Sequence, residues 1–149
     1  MRSLSIRKTA MGLTYAEITL VNVIDLELAR RGTIKESEVR KVPIRALVDS
    51  GALTLVINEA TRKKLGMEPS SQKIVRTADG GMHFVPVIKG VNVQFLDRDT
   101  TCDAWVTANG PDCLLGAIPI EGLDVVIDLN KQELIPNPEN PDGPVYIMY

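Results

Sequence analysis

The side chains that could do chemistry in this sequence are carboxylates at the ends of apolar segments, and the clearest of them is Asp49. It follows the apolar segment 42–48 and precedes Ser50 and Gly51, so the sequence predicts a strand that delivers a carboxylate into a tight turn. A carboxylate presented in this way can activate water as a general base. Peptide hydrolysis also needs a general acid, which one aspartate cannot supply at the same time. If the chain is an enzyme, a two-fold dimer would supply the second carboxylate from an identical copy.

The same tripeptide also has a purely structural interpretation, since Asp-Ser-Gly is a common turn in which the aspartate binds its own backbone. Asp124 and Asp128 lie near a predicted terminal hairpin and could mimic a second carboxylate, but neither precedes a turn of small residues. His83, the only histidine, is predicted to be a surface side chain, because no Ser or Cys elbow accompanies it. Cys102 and Cys113 are predicted to be small, partly buried thiols, with a disulfide or a nucleophile as the alternatives.

Short segments rich in Val, Ile, Leu and Thr, separated by Gly, Asp-Gly, Asn-Gly and Pro, predict an all-β domain with few helices. One helix is predicted over 59–65, with Asn58 as its N-cap and Gly66 as its left-handed end. A further helical turn is predicted within 118–123, and turns at 30–33 and 109–111. The predicted strands are 15–23, 37–48, 54–57, 73–78, 82–88, 91–95, 103–107, 114–115, 125–128 and 133–135.

A β-hairpin is predicted where Asp79, Gly80 and Gly81 separate two β-like segments. Asp-Gly between such segments is a strong hairpin signal. Pro86 lacks an N–H donor, so this hairpin is predicted to be an edge or a projecting element. Trp105, the lone tryptophan, is predicted to lie in the core.

Length and composition narrow the class of protein. The 149 residues predict one domain, with a core over about 14–136 and a Pro-rich extension over 137–149 whose apolar end docks on its own domain or on a second copy. A formal charge of −2, with 17 basic and 19 acidic residues interspersed, argues against nucleic-acid binding. No segment is long and apolar enough to cross a membrane, and two cysteines with no signal peptide favour the cytoplasm.

Three features together resemble the retropepsin-like aspartic proteases, most closely their bacterial single-domain members. They are the sequence Asp49-Ser50-Gly51-Ala52, the Gly-tipped hairpin, and the later Leu114, Leu115 and Gly116 with a short helix and a Val-Ile-Asp segment. The resemblance extends over roughly residues 14–138. It implies an all-β fold, a closed β-barrel equivalent to one lobe of an acid protease, with one or two short helices.

The resemblance also implies a homodimer in which each copy contributes Asp49 to a shared site, with a peptide or unfolded protein as substrate and no metal or organic cofactor. Two carboxylates 3 Å apart would repel by roughly 5 kcal/mol at an effective dielectric of about 20, so they would share one proton near neutral pH. The protonated carboxyl would donate to the substrate carbonyl while the ionised one takes a proton from water.

Each neighbour of Asp49 has an expected role on this interpretation. Ser50 would brace the turn or the two-fold contact, and Gly51 would present its amide to the carboxylate. Ala52 lacks the hydroxyl that pepsin-type members carry, which predicts a working pH nearer neutral. Leu114, Leu115 and Gly116 would support the turn. The hairpin tip Asp79-Gly80-Gly81-Met82 would act as a flap over an extended peptide, with Met82, Phe84 and Val56 as candidate pocket walls or core residues.

Two positions depart from the viral members of that family. Residue 53 is Leu where they commonly have a second Asp that braces the dimer, and Ala117 replaces an Arg or Asn. The sequence therefore supports an aspartic endopeptidase first. A protease-like module that binds peptides or a partner and cleaves weakly or not at all comes second. A fragment of a mobile-element polyprotein comes last, since the chain has no basic tracts.

Overall fold

A computed structural model of the chain describes residues 12–108, 110 and 113–148. This part of the chain forms three short helices, which are α1 (Val23–Arg30), α2 (Glu59–Leu65) and α3 (Ala117–Leu123), together with a 3₁₀ turn over Glu36–Glu38. Its nine strands are β1 (Tyr15–Val21), β2 (Lys41–Val48), β3 (Leu55–Asn58), β4 (Ser71–Arg76), β5 (Met82–Phe95), β6 (Arg98–Thr107), β7 (Cys113–Leu115), β8 (Val125–Asp128) and β9 (Glu133–Pro136).

Six of these strands close into a barrel. The order is β1-β2-β7-β3-β6-β5, and β5 pairs again with β1 to complete the ring. β4 pairs only with β5, so the β4–β5 hairpin extends beyond the barrel, while β8 and β9 form a separate hairpin. Strand alternation directs one face of the barrel strands inward, where Leu20, Leu55, Ile57, Val93 and Leu115 are fully buried. The predicted all-β barrel is confirmed.

The sequence interpretation was wrong about the segment after β1. A strand was predicted over 15–23, but β1 ends at Val21 because Asn22 caps a helix that was not predicted. The buried Asn22 side chain accepts hydrogen bonds from the amides of Ile24 and Asp25, both at 3.0 Å. It also donates to the carbonyl of Leu65 at 2.9 Å, which ties α1 to α2. A single capping residue thus overrides the β-like composition before it.

Asp25 is buried against Arg40, the residue that immediately precedes β2. Its carboxylate accepts Arg40 Nε at 2.7 Å, Arg40 Nη2 at 3.0 Å and the Arg40 backbone amide at 3.0 Å. The side-chain hydrogen bond from Arg40 holds the pKa of Asp25 below its usual value. This bidentate pair fixes α1 to the strand that leads to Asp49.

Several local predictions can be compared directly with the structure. α2 has the predicted bounds, with Asn58 accepting the Thr61 amide at 2.8 Å and Gly66 at φ 75°. The strands predicted over 82–88 and 91–95 are one strand, β5, which continues through an irregularity between Ile88 and Val91. Of the predicted turn over 109–111, the structure describes only Gly110, and the other two residues lie outside the described residues.

The C-terminal segment binds to its own domain but keeps its apolar side chains exposed. The Val145 amide donates to Asp124 Oδ2 at 3.1 Å, and the Tyr146 hydroxyl donates to the carbonyl of Gly122 at the end of α3. Val145, Tyr146, Ile147 and Met148 are each at least 60% exposed. Among the described residues, no helix has the length and apolarity needed to cross a membrane.

Candidate active site

Asp49 lies at the end of β2, where two neighbouring chain segments hold its backbone. β2 runs parallel to β7, and the Asp49 amide donates to the carbonyl of Leu115 at 3.0 Å. On the other side the Val48 amide donates to the carbonyl of Thr14 at 2.8 Å. The Asp49 side chain is partly exposed. A barrel strand supported on both sides therefore delivers a carboxylate to the surface.

The turn after Asp49 is closed by hydrogen bonds from its small residues. The Gly51 amide donates to Asp49 Oδ1 at 2.9 Å, and the Ala52 amide donates to the Asp49 carbonyl at 3.0 Å. Ser50 is exposed in this single chain. The Gly51 contact directs the carboxylate, and it is also the contact that an ordinary aspartate turn would make. The turn alone therefore does not distinguish a catalytic residue from a structural one.

Backbone contacts that an ordinary turn does not have join the Asp49 turn to residues 116–118, and these contacts are called the interlock below. The Ala117 amide donates to the Ala52 carbonyl at 2.8 Å, and the Ile118 amide donates to the Leu53 carbonyl at 2.9 Å. A Cβ on Gly116 would lie 2.2 Å from the Thr54 carbonyl oxygen and 2.6 Å from that of Ala52. Only glycine allows two backbones to approach this closely. Leu115 beside it is fully buried, so β7 anchors the interlock in the core.

The outer face of the barrel is apolar next to Asp49. Leu47 in β2 is level with Leu114 in β7, Leu114 is level with Val56 in β3, and Val56 is level with Trp105 in β6. All four are half-buried, so Trp105 is not the core residue that had been expected. Asp49 follows Leu47 with the same strand orientation. The carboxylate therefore stands at one end of an apolar row that is open to a ligand.

A cavity of about 310 Å³ lies next to the Asp49 turn. Leu53 and Thr54 form one wall, and Lys73 from β4 lies across from them. The Thr54 hydroxyl is already used, because it donates to the carbonyl of Asp103 at 2.7 Å. Burial raises the pKa of the Cys102 thiol, so this group is neutral at pH 7. The remaining lining residues are Asp103, Trp105 and Ile118.

The β4–β5 hairpin has a hydrogen-bonded tip. Gly80 has φ 88°, and the Gly81 amide donates to Asp79 Oδ1 at 2.9 Å. The Thr77 hydroxyl also donates to Asp79, and the Thr77 amide donates to the Gly81 carbonyl at 2.9 Å. These hydrogen bonds from Thr77 and Gly81 hold the pKa of Asp79 below its usual value. The tip is thus a formed turn on a projecting two-stranded ribbon.

The two faces of this hairpin differ in their neighbours. Met82 pairs across the ribbon with Arg76, and Phe84 pairs with Ile74. These residues lie on one face of the ribbon, and Lys73 lies on the other face with its partner Val85. Met82 and Phe84 are largely exposed, and neither lines the cavity beside the turn. The sequence had offered Met82 and Phe84 as pocket walls or core residues. Phe84 lines a different cavity, of about 520 Å³, whereas Lys73, which the sequence did not single out, lines the cavity beside the Asp49 turn. Strand alternation from the hairpin register is the signal that could have found Lys73.

The structure gives Asp124 and Asp128 other roles. The Asp124 carboxylate accepts Asn137 Nδ2 at 3.0 Å, Asn140 Nδ2 at 2.6 Å and the Val145 amide, so it fastens the C-terminal segment. Asp128 Oδ1 accepts two backbone amides of the β8–β9 turn at 3.0 and 3.2 Å. These hydrogen bonds occupy both carboxylates, and neither of them joins the Asp49 turn.

Comparison with known proteins agrees with this geometry. A family model described as aspartyl protease matches residues 23–117. The fold is similar to a retropepsin-like aspartic protease from Rickettsia conorii, at 18% identity over 86% of this chain and 91% of that chain, with a TM-score of 0.50. It is also similar to the retroviral protease-like domain of Ddi1 from Leishmania major, at 17% identity over 85% of this chain and 97% of that chain, with a TM-score of 0.53. No curated protein matches the sequence significantly.

Proposed function

The chain belongs to the aspartyl protease family, and from this premise we propose that it is an endopeptidase whose catalytic residue is Asp49. The observation that carries the proposal is the interlock between the Asp49 turn and Gly116, where backbone contacts hold a partly exposed carboxylate at the end of an apolar surface row. A turn with only a structural role would need neither the close approach of Gly116 nor that apolar row.

A homodimer is part of the proposal because Asp49 is the one carboxylate that the described part of the chain presents at the end of this apolar row. Asp124 and Asp128, the alternatives within the chain, are occupied by hydrogen bonds elsewhere. A two-fold axis beside the Asp49 turn would bring two copies of Asp49 together. Ser50, exposed in the single chain, would then face its symmetry mate.

The chemistry follows from two carboxylates that share one proton. The ionised carboxylate accepts a proton from a water molecule placed between the two groups, and the oxygen of that water attacks the peptide carbonyl. The protonated carboxyl donates its hydrogen to the carbonyl oxygen, so a neutral tetrahedral intermediate forms. Protonation of the amide nitrogen and cleavage of the C–N bond then complete the hydrolysis. The acid and the base exchange roles, and no cofactor enters the balance.

An extended peptide is the substrate that fits this surface best. It would lie between the hairpin tip at Asp79–Gly81 and the apolar row that contains Leu47 and Leu114. Main-chain hydrogen bonds would add the peptide to the hairpin as a strand, and alternate side chains would enter pockets such as the cavity beside Leu53. Residues Asp79 to Met82 keep their proposed role as the flap, with Gly80 as the position that bends.

Cleavage of a mixed peptide library by the full chain tests the proposal, with Asp49→Asn as the inactive control. We expect wild-type cleavage to fall at least 1,000-fold in the variant, since the dyad supplies both acid and base. Asp128→Asn is a matched control that removes a carboxylate outside the site and should cleave as the wild type does. Sedimentation at several concentrations measures the dimer, and activity should follow the dimer fraction. Equal cleavage by Asp49→Asn would refute the assignment.

A protease-like peptide-binding module is the second candidate. The observation in its favour is that the Gly51 contact is also that of an ordinary aspartate turn, with Ala52 and Leu53 offering no side-chain donor or acid beside it. Such a module would bind library peptides with equal affinity before and after the Asp49→Asn change. It would release no fragments in either form.

A further inference from the structure

The cavity beside the Asp49 turn has a mixed chemical character. Its lining includes the apolar residues Leu53, Trp105 and Ile118 and, from the first strand of the hairpin, the basic residue Lys73. Its volume of about 310 Å³ suffices for one amino-acid side chain. Leu53 and Thr54 follow the Asp49 turn and Lys73 belongs to the hairpin, so a peptide bound between those two elements would place one side chain in this cavity.

The charges around the cavity do not balance. Among the described residues that line it, Asp103 is the acidic one, and Asp103 Oδ2 lies 3.5 Å from Lys89 Nζ. Lys73 has no carboxylate within ion-pair distance among the residues that the structure describes. The acidic residue of the lining is therefore paired, whereas the basic residue of the lining is not. The Cys102 thiol is neutral, since burial raises its pKa, and the Thr54 hydroxyl is bonded to the Asp103 carbonyl.

We propose that Lys73 is a specificity residue, and that this cavity selects a substrate side chain with an apolar stem and an acidic end, as glutamate has. The inference rests on the proposed function, because it assigns a substrate class to the same site. The methylene groups of glutamate would pack against Leu53 and Ile118, and its carboxylate would reach the ammonium of Lys73. A basic side chain would be disfavoured, since Lys89 already neutralises the one acidic group of the cavity.

Two effects set the size of the preference. An exposed ion pair is weak, and Lys73 is exposed in the single chain. A bound peptide would cover the pair and strengthen it, whereas the negative charge of the Asp49 pair would oppose a second carboxylate nearby. We therefore expect about a fivefold preference in kcat/KM for Glu over Gln.

The test uses cleavage of an unstructured peptide set in which each position is varied among Glu, Gln, Lys and Leu. Wild type should prefer Glu over Gln about fivefold at one position. Lys73→Gln should abolish the preference, and Lys73→Glu should reverse it in favour of Lys. Lys131→Glu makes the same change of charge in the β8–β9 hairpin, none of whose residues lines the cavity, and should leave the preference unchanged.

A binding measurement separates this inference from the proposed function. Asp49→Asn should bind the Glu peptide more tightly than the Gln peptide, and adding Lys73→Glu should invert that order in fluorescence anisotropy. Wild type could cleave no peptide while this order of affinities and its inversion are still observed. In that case the proposed function fails and the inference stands. The inference is overturned if both assays show no difference between Glu and Gln peptides, or if the preference for Glu persists in Lys73→Glu. Either result leaves the proposed cleavage activity intact.

Discussion

Replacing Gly116 with alanine tests the interlock on which the site depends. The added Cβ would lie 2.2 Å from the Thr54 carbonyl oxygen, 2.6 Å from the Ala52 carbonyl oxygen and 2.8 Å from the Thr54 amide nitrogen. All three atoms belong to the backbone, so no side chain can rotate away. The two segments must separate by about 0.8 Å to reach the closest approach that real Cβ atoms show, and contacts within a packed interior do not yield that far without cost.

The expected loss of stability combines two effects. Overpacking of this kind costs roughly 1–3 kcal/mol. Separation also weakens the hydrogen bonds from Ala117 to Ala52 and from Ile118 to Leu53, each worth about 0.5–1.5 kcal/mol. The free energy of unfolding should therefore fall by roughly 2–6 kcal/mol. With an m-value of about 2 kcal/mol per molar urea, the unfolding midpoint would move down by about 1–3 M.

Urea unfolding followed by circular dichroism and by the fluorescence of Trp105, the one tryptophan, measures this change. Gly110→Ala is the matched control, because among the described residues its Cβ would meet the Thr107 hydroxyl alone, at an ordinary 3.4 Å. The control also carries the gain of roughly 0.4–1 kcal/mol that Gly→Ala gives through the unfolded chain. If Gly116→Ala unfolds within about 0.3 M of the control, the close approach does not hold the turn and the argument for the site fails.

Two further predictions concern carboxylates whose pKa lies below its ordinary value. Asp25 is stabilised in its ionised form by Arg40, so the folded state gains stability above the unfolded pKa of about 3.9 and loses it as pH falls through the lower folded value. Urea midpoints between pH 5 and 2 should therefore fall more steeply for wild type than for Asp25→Asn, and parallel curves would contradict the pairing. Asp124 fastens the C-terminal segment through Asn137, Asn140 and the Val145 amide, which lower its pKa. Asp124→Asn should speed chymotryptic cleavage at Tyr146 about tenfold by mass spectrometry, relative to Asp128→Asn, and an unchanged rate would show that the tail is held in another way.

The parts of the fold that were predictable are those with a local chemical cause. Asn58 and Gly66 defined α2, and Asp79-Gly80 defined a hairpin, because caps and tight turns depend on a few adjacent residues. α1 was missed because local composition pointed to a different structure. Asn22 is a strong cap, but the apolar residues around it have the composition of a strand. The hydrogen bond from the Asn22 side chain to Leu65 could not be predicted, because Leu65 is distant in the sequence.

The site was predictable only in part, because its partners come together through topology. Asp49 and the Leu114–Gly116 element stand out in the sequence, but their contact requires β7 to insert between β2 and β3, which no local pattern specifies. The continuous apolar composition of residues 46–48 was a signal that β2 is apolar on its outer face as well as on its inner face. Leu47 could therefore have been assigned to a ligand-facing row before the structure was known.

In the proposed endopeptidase, the departure at Leu53 would bear on both assembly and specificity. Leu53 follows the Asp49 turn, its carbonyl accepts the Ile118 amide, and its side chain forms a wall of the cavity that Lys73 faces. An acidic residue at this position would add a negative charge to the cavity that Lys73 also lines. With leucine there, the ammonium stays available for a substrate, and any bracing of a dimer has to come from other contacts. The loss of one dimer contact and the gain of one specificity contact would then be two consequences of a single side chain.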